Sequence, residues 1–164
     1  MARTQPASQH PRTDQERAGD IAATQRSSVA TAMLPSPKIM RTDFTVGQAR
    51  AAFADDHMHA VLIVAEGLLR AVVHREDVHE PAPAEQLAWR LGALRDRIVS
   101  PDEDLEAVRT RMLDAGVRRL AVVDEGGRLL GLLCLKRSHR GFCSAADVAA
   151  RARATTCSGP IGDD

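Results

Sequence analysis

Tyrosine is absent, and three Phe and one Trp are the only other aromatics. So few π-faces leave no set of stacking side chains to interleave with cations, as single-strand nucleic-acid surfaces require. Cysteine is missing before position 134. Cys134, Cys143 and Cys157 make an odd set that does not read as a disulfide framework and points to a reducing cytosol. No run approaches the ~18 apolar residues of a membrane span. Residues 1–28 hold one large aliphatic, Ile21, so an apolar signal region is lacking too. A net charge is also missing, since 22 Lys+Arg face 22 Asp+Glu, which argues against a chain devoted to nucleic acid or an anionic membrane. There is no nucleophile elbow, Walker loop, paired-glycine fingerprint or zinc-type Cys cluster. The expectation is a soluble cytoplasmic protein that is not an enzyme.

What is present is 164 residues, 44% of them apolar, with Ala, Leu and Val dominant. That length supports a core without disulfides or metal. Residues 1–35 offer little to bury and are expected to be disordered, with at most a transient helix around Gly19–Ala32; 155–164, holding Gly159, Pro160 and Gly162, read as a frayed tail.

The region between contains an internal repeat. Ile39-Met40 precedes an amphipathic stretch, Val46–Asp56, then an apolar strand Ala60–Val64, a turn 65–68 and a second strand Leu69–His74. The order recurs 59 to 60 positions later: Ile98-Val99, Asp104–Ala115, Arg119–Val123, a turn 124–128 and Leu129–Leu135. Val46/Leu105, Phe53/Met112, Val61/Leu120, Ile63/Val122 and Ala71/Gly131 fall in register. Leu105, Val108, Met112 and Leu113 make one helical face, with acids Asp102–Asp104 at its start and Gly116 at its stop. The strand runs are apolar nearly throughout, so both sheet faces are expected to be covered. A helical start follows each repeat, near Arg75–Val78 and at Ser144–Arg153, the latter with a capping-box spacing of Ser144 to Asp147. The expected organisation is a first repeat over 36–80, a linker with a short helix over 81–91, and a second repeat over 92–154.

Three stretches of the second repeat, Val99–Leu105, Ala115–Asp124 and Leu130–Leu133, together with the in-register first repeat, resemble a pair of CBS domains, the modules named after cystathionine β-synthase. The resemblance implies an α/β fold of two tandem βαββα units packed as a pseudo-symmetric pair (a Bateman module), with a cleft on each side and assembly into a homodimer. It implies a stand-alone regulatory module that binds an adenosine-containing ligand (AMP, ADP, ATP or S-adenosylmethionine), needs no obligatory cofactor, serves energy sensing and signals to an effector protein. Ligand contact in the family concentrates at a strand end reading Gly-apolar-apolar-Thr/Ser-x-x-Asp, whose hydroxyl reaches ribose or phosphate and whose Asp accepts from ribose hydroxyls.

Carried onto this chain, the first repeat reads Ala71-Val72-Val73-His74-Arg75-Glu76-Asp77, with Asp77 at the aspartate position and His74 in place of the hydroxyl. The first cleft is then expected to hold Asp77, His74, Arg75, His59, Ile39, Met40 and Ala60, with His74 or Arg75 near phosphate. Asp77 also suits a plain helix-capping role. The second repeat reads Gly131-Leu132-Leu133-Cys134-Leu135-Lys136-Arg137. Its cleft would hold Arg137, Cys134, Ser138, Arg119 and Ile98, and is either empty or a cationic floor for phosphates.

Two other readings come from the residues themselves. If Val64 pairs Leu69, His59 stands opposite His74, and His57, His59 and His74 with Glu76 and Asp77 suggest an alternative Zn, Ni or Cu site. Such histidines also suggest a pH-dependent cleft. Asp43–Glu80 carries three Arg against seven acids, and Arg109–Arg140 eight Lys/Arg against three acids. These charges read first as solvated surface. Arg118, Arg119, Lys136, Arg137 and Arg140 are also placed to converge on a polyphosphate, and the opposed charges of the repeats suit head-to-tail pairing of subunits. A ligand-free dimerisation scaffold and a redox role for Cys134 or Cys143 complete the alternatives.

Overall fold

A computed structural model describes residues 27–79 and 81–156, except for the side chains at 151, 152 and 154–156. The chain runs α1 (Val29–Ala32), β1 (Leu34–Pro35), β2 (Ile39–Met40), α2 (Val46–Phe53), β3 (Ala60–Ala65) and β4 (Leu68–His74). Two 3₁₀ turns, Arg75–Val78 and Ala88–Arg90, lead to β5 (Ile98–Val99), α3 (Leu105–Asp114), β6 (Arg119–Val123), β7 (Leu129–Cys134) and α4 (Ala145–Thr156). The strands form two sheets, ordered β2-β3-β4 and β1-β7-β6-β5.

The repeat holds at the level of register. Ile39 pairs Leu62 and Met40 pairs Ile63 in parallel; 59 residues on, Ile98 pairs Ala121 and Val99 pairs Val122. Each hairpin carries its bulge at the same place, between Ile63 and Val64 and between Val122 and Val123. Alternation along the strands then divides the core in three. Val61, Ile63, Ala71 and Val73 pack on Val46, Ala49 and Phe53 of α2. Leu120, Val122 and Leu133 pack on Val108 and Met112 of α3. The intervening residues, Leu62, Leu69, Val72, Ala121 and Val123, bury the two sheets against each other. The hairpin loops join across this interface, Leu69 N donating to Gly127 O (3.0 Å) and Leu129 N to Gly67 O (3.2 Å).

Caps start the helices where the sequence placed them. Thr45 and Gln48 form a capping box on α2, and Asp104 accepts from Ala107 N at 2.9 Å. The linker lies along the start of α2, with Val46 N on Gln86 O and Gly47 N on Ala84 O, both at 2.8 Å. Arg50 holds it with bonds to Val78 O (2.6 Å) and Ala82 O (2.7 Å). Gly92 then passes so close to the first sheet that a Cβ would lie 2.8 Å from Val73 Cγ2 and 2.9 Å from Ala71 Cβ and Val72 O. Gly92→Ala is therefore expected to cost about 1–3 kcal/mol in urea unfolding, the usual price of overpacking; an unchanged midpoint would contradict this packing.

The head does not remain unstructured as far as residue 35. Val29 is fully buried in the second core, Val29 N donates to Glu103 O (3.0 Å), Ala30 N donates to Pro101 O (2.9 Å), and Leu34 and Pro35 pair antiparallel with Leu132 and Gly131. One buried aliphatic and a strand edge supply what composition alone did not offer. The rest of that expected segment, 1–26, and the tail from 157 lie outside the described residues. The helical start at Arg75 is a single 3₁₀ turn, because the linker departs at Val78.

Candidate functional site

In each sheet the leading strand and the return strand occupy opposite sides of the strand between them: β2-β3-β4 in one, β5-β6-β7 in the other. The two are therefore about 9–10 Å apart. The first cleft is built from the leading strand of the first repeat and the return strand and following helix of the second. This separates residues that the sequence pattern grouped together.

The first cleft is a cavity of about 470 Å³. Lys38 and Met40 of the leading segment line it, with Asp55, His57, Met58, Ala60 and Leu62 from the first repeat. Leu34–Pro37 close one side, and Arg119, Leu132, Ala145, Val148 and Ala149 come from the second repeat. Met40, Met58, Leu62, Leu132 and Val148 give it apolar walls; Lys38 and Arg119 bring positive charge. Val148 is 45% exposed, a large aliphatic turned to the opening. Ile39, expected here, is instead 51% exposed outside, since its neighbour Met40 takes the inward position.

The start of α4, whose Ala145, Val148 and Ala149 line this cleft, carries a hydroxyl-x-x-Asp sequence, Ser144 to Asp147. Chain segment 135–142 leaves the end of β7 and returns: Leu135 bridges Phe142, Lys136 N donates to Gly141 O (2.9 Å), and Cys143 N donates to Cys134 O (2.7 Å). Ser144 thereby follows the sheet edge as His74 does in the first repeat. The caps correspond: His74 N donates to Asp77 Oδ2 at 2.7 Å, and Ser144 N to Asp147 Oδ2 at 2.8 Å. Each carboxylate has a cation, Arg97 on Asp77 and Lys136 on Asp147 at 3.2 Å. Bonds from the Ser144 backbone and hydroxyl, with Lys136, hold the Asp147 carboxyl down at about 2. Sequence reasoning saw the Ser144/Asp147 spacing only as a cap. The excursion moved the pair to an offset of 70 from His74 and Asp77 instead of 60, and Cys134 stood at the position expected for the hydroxyl.

A second, smaller cleft is lined by His74 and Glu76 but not by Asp77, whose carboxylate is already engaged. Arg97 Nη1 bonds one oxygen and Arg97 Nη2 the other (2.9 Å), while Arg97 Nη1 also reaches Val72 O at 2.8 Å. The side chains of Asp77 and Arg97 are 13% and 17% exposed. Burial pushes the Asp77 carboxyl up, but the Arg97 and His74 hydrogen bonds and the Arg97 charge prevail and hold it low. The carboxylate has the capping role that its position also suggested, and is an ion-pair partner that ties the repeats together.

His59, His74 and Glu76 line this second cavity, about 240 Å³, with Ala115, Gly116, Val117, Arg118 and Arg119. The bulge shifts the hairpin by one, so Ala60 and not His59 stands opposite His74. His57 lies elsewhere, its Nδ1 3.1 Å from Asp55 Oδ1 and its side chain 77% exposed. Among the described residues no three His, Cys, Asp or Glu side chains are grouped to hold a metal ion, which corrects the three-histidine alternative. Arg75 is half-exposed, 5.9 Å over the Phe53 ring and 3.9 Å from Asp56. Cys134 is buried, with Sγ 3.1 Å from Cys143 Sγ, and Ile98 packs into the inter-sheet core. Arg137 and Ser138 lie on the exposed excursion. The sequence-expected second site is thus dispersed, with only Arg119 facing a cleft shared between the repeats.

Burial, then Arg97, holds the His74 imidazole below its ordinary 6.5; burial, then Arg119 and Arg118, does the same for His59. The unfolded chain therefore takes up these protons first, and stability is complete above about pH 6.5 and falls as pH drops below it. The urea midpoint of the protein is expected to decline from pH 7 to 5.5, and to decline less in His74→Gln. Equal slopes for the two proteins would show that His74 is not the group responsible.

Among the described residues no helix is long and apolar enough to cross a membrane. Among curated proteins, none matches the chain in sequence. The profile of the CBS domain family matches residues 95–137. Solved structures share the architecture of most of the described chain. The CBS domains of a transcriptional regulator from Streptococcus pneumoniae are 17% identical, covering 65% of this chain and 92% of theirs at a TM-score of 0.55. CBSX2, in complex with AMP, is 19% identical over 78% of this chain and 98% of its own (TM-score 0.55). The CBS domain of a bacterial CNNM/CorC family Mg2+ transporter, in complex with ATP, is 18% identical over 74% and 91% (TM-score 0.53). The second repeat matches the CBS domain profile over residues 95–137, and the two repeats together have the fold of a CBS domain pair.

Proposed function

We propose that this chain is a regulatory, non-catalytic module that binds an adenosine-containing ligand in its first cleft and passes the bound state to a partner protein. The observation that carries the reading is the first cleft itself: an apolar-walled space of about 470 Å³, within the size of small-molecule sites, partly lined by α4, whose start has a hydroxyl-x-x-Asp sequence. Met40, Met58 and Leu62 offer a surface for a purine. Lys38 and Arg119 line the cleft and provide charge for phosphate, and this reading assigns the ribose to Ser144 and Asp147, which cap the helix whose Ala145, Val148 and Ala149 line the cleft. Similar folds have been solved with AMP and with ATP, which supports this ligand class. A sensor needs only unequal affinity for its ligand in two states, so no catalytic group is called for.

Thermal unfolding with millimolar AMP, ADP, ATP and S-adenosylmethionine tests this. A ligand at a hundredfold its Kd stabilises by about 2.7 kcal/mol, a shift of several degrees for a domain of this size. Ala149 is exposed and lines the first cavity, so Ala149→Trp fills the space without entering the core. The shift is expected in the wild type and in Asp77→Asn, and is expected to vanish in Ala149→Trp. No shift with any of the four ligands would leave a dimerisation scaffold as the better reading.

A further inference from the structure

The neck of the excursion after β7 carries an independent feature. Cys134 is the last residue of β7, and Cys143 returns beside it once the excursion 135–142 is complete. Leu135 and Phe142 bridge in antiparallel fashion, and Cys143 N donates to Cys134 O at 2.7 Å. The two cysteines therefore stand opposite each other, one position along from that bridge. Opposite residues of this hydrogen-bonded kind have Cα atoms about 5.5 Å apart, inside the range of roughly 4.4–6.8 Å that a disulfide spans. Their Sγ atoms are already 3.1 Å apart. Packing alone asks only for two small apolar side chains at this buried place; sulfur facing sulfur adds the capacity to bond. The neck also has a way to open. Residues 137–140 are exposed, and Lys136 N on Gly141 O and Arg109 Nη2 on His139 O, both at 2.9 Å, are among the ties that hold the loop down. Releasing such a loop is a local event that leaves the β6–β7 ladder paired.

We propose that Cys134 and Cys143 form a redox modification site, a dithiol that a small-molecule disulfide oxidises to an intramolecular disulfide, pinning the start of α4 to the sheet. While the neck is open, one cysteine thiolate attacks the small disulfide. A mixed disulfide forms, the small molecule's own S–S bond breaks, and its first half leaves as a thiolate. The second cysteine thiolate then attacks the protein sulfur of the mixed disulfide. The Cys134–Cys143 bond forms and the second half leaves. Two protein thiols are oxidised, one small disulfide is reduced to two thiols, and the two cysteine protons pass to the departing thiolates. In a reducing compartment such pairs are transient and redox-sensing, not permanent staples. The consequence is local: Ser144 follows Cys143 directly and caps α4 with Asp147, so the bond fixes the first turn of that helix. The site goes beyond the first-cleft reading and does not depend on it.

The full chain is equilibrated with glutathione and glutathione disulfide over a range of ratios, folded and in concentrated urea, then quenched with acid, alkylated and digested with trypsin. Cleavage after Arg128, Lys136, Arg140, Arg151 and Arg153 puts each cysteine on its own peptide, 129–136, 141–151 and 154–164. In the folded chain, peptides 129–136 and 141–151 are expected to be joined with the loss of two hydrogens, and to separate again with dithiothreitol. Half-oxidation is expected at a glutathione disulfide level at least tenfold lower for the folded chain than in urea, because the fold holds the two sulfurs together. Cys157→Ser is expected to leave that level unchanged. Amide hydrogen exchange over 143–149 is expected to slow at least tenfold on oxidation. Joining to peptide 154–164 in the folded chain, equal half-oxidation levels folded and unfolded, or exchange that oxidation does not alter would overturn the proposal.

Discussion

Arg97→Ala is expected to lower the unfolding free energy by about 2–4 kcal/mol, below the top of the range for breaking a buried pair because water reaches part of both side chains. Three hydrogen bonds disappear together, two to Asp77 and one to Val72 O. Asp77 is left as an enclosed carboxylate with only the His74 N–H. For a domain of this size the thermal midpoint is expected to fall by about 5–15 °C. Arg97→Met combined with Asp77→Leu is expected to recover much of the loss, since no charge is then stranded. The sign against pH follows from the lowered carboxyl of Asp77. Its contribution is present above its ordinary value of 3.8 and is lost as pH falls through the lower folded value, so wild type and Arg97→Ala should converge in strong acid. A loss under 0.5 kcal/mol at neutral pH would make the pair an ordinary surface contact.

Val29→Asp is expected to cost about 3 kcal/mol or more, because an unpaired carboxylate would replace a fully buried methyl pair in the second core. Val29→Ala is expected to cost about 1–2 kcal/mol by cavity formation alone. Urea unfolding of the three proteins checks both values. Near-identical midpoints would mean that the head does not dock on Val99, Val108 and Met112.

The fold was legible because its signal is repetitive. Val61/Leu120 and Ile63/Val122 announce the same strand twice, and apolar residues on both strand faces announce a sheet covered on both sides. Even the bulges recur at the same offset, although nothing in the sequence marks them. The site was less legible for three physical reasons. Sheet order, which determines which strand ends share a cleft, is a tertiary property: Met40 and His74 lie in one repeat yet line different cavities. The bulge after Ile63 changed the partner of His74 by one residue, which separated the histidines that the turn position had brought together. The excursion 135–142 hid Ser144 and Asp147 behind an irregular offset. Arg97 carried no motif at all; only its position just before β5, opposite the end of β4, made it the partner of Asp77. Val29 was unreadable for a related reason, since one aliphatic among polar residues has no period.

The central claim is that the ligand enters the first cleft. Methionine methyls report on this directly, because Met40 and Met58 line that cavity while Met112 is buried in the second core. With ¹³C-methyl methionine in the full chain, AMP is titrated and the methyl resonances are followed. Saturable shifts of Met40 and Met58, with Met112 unmoved and the response lost in Ala149→Trp, are the predicted result. Still methyls at Met40 and Met58 while AMP raises the thermal midpoint would place the ligand elsewhere and contradict the account.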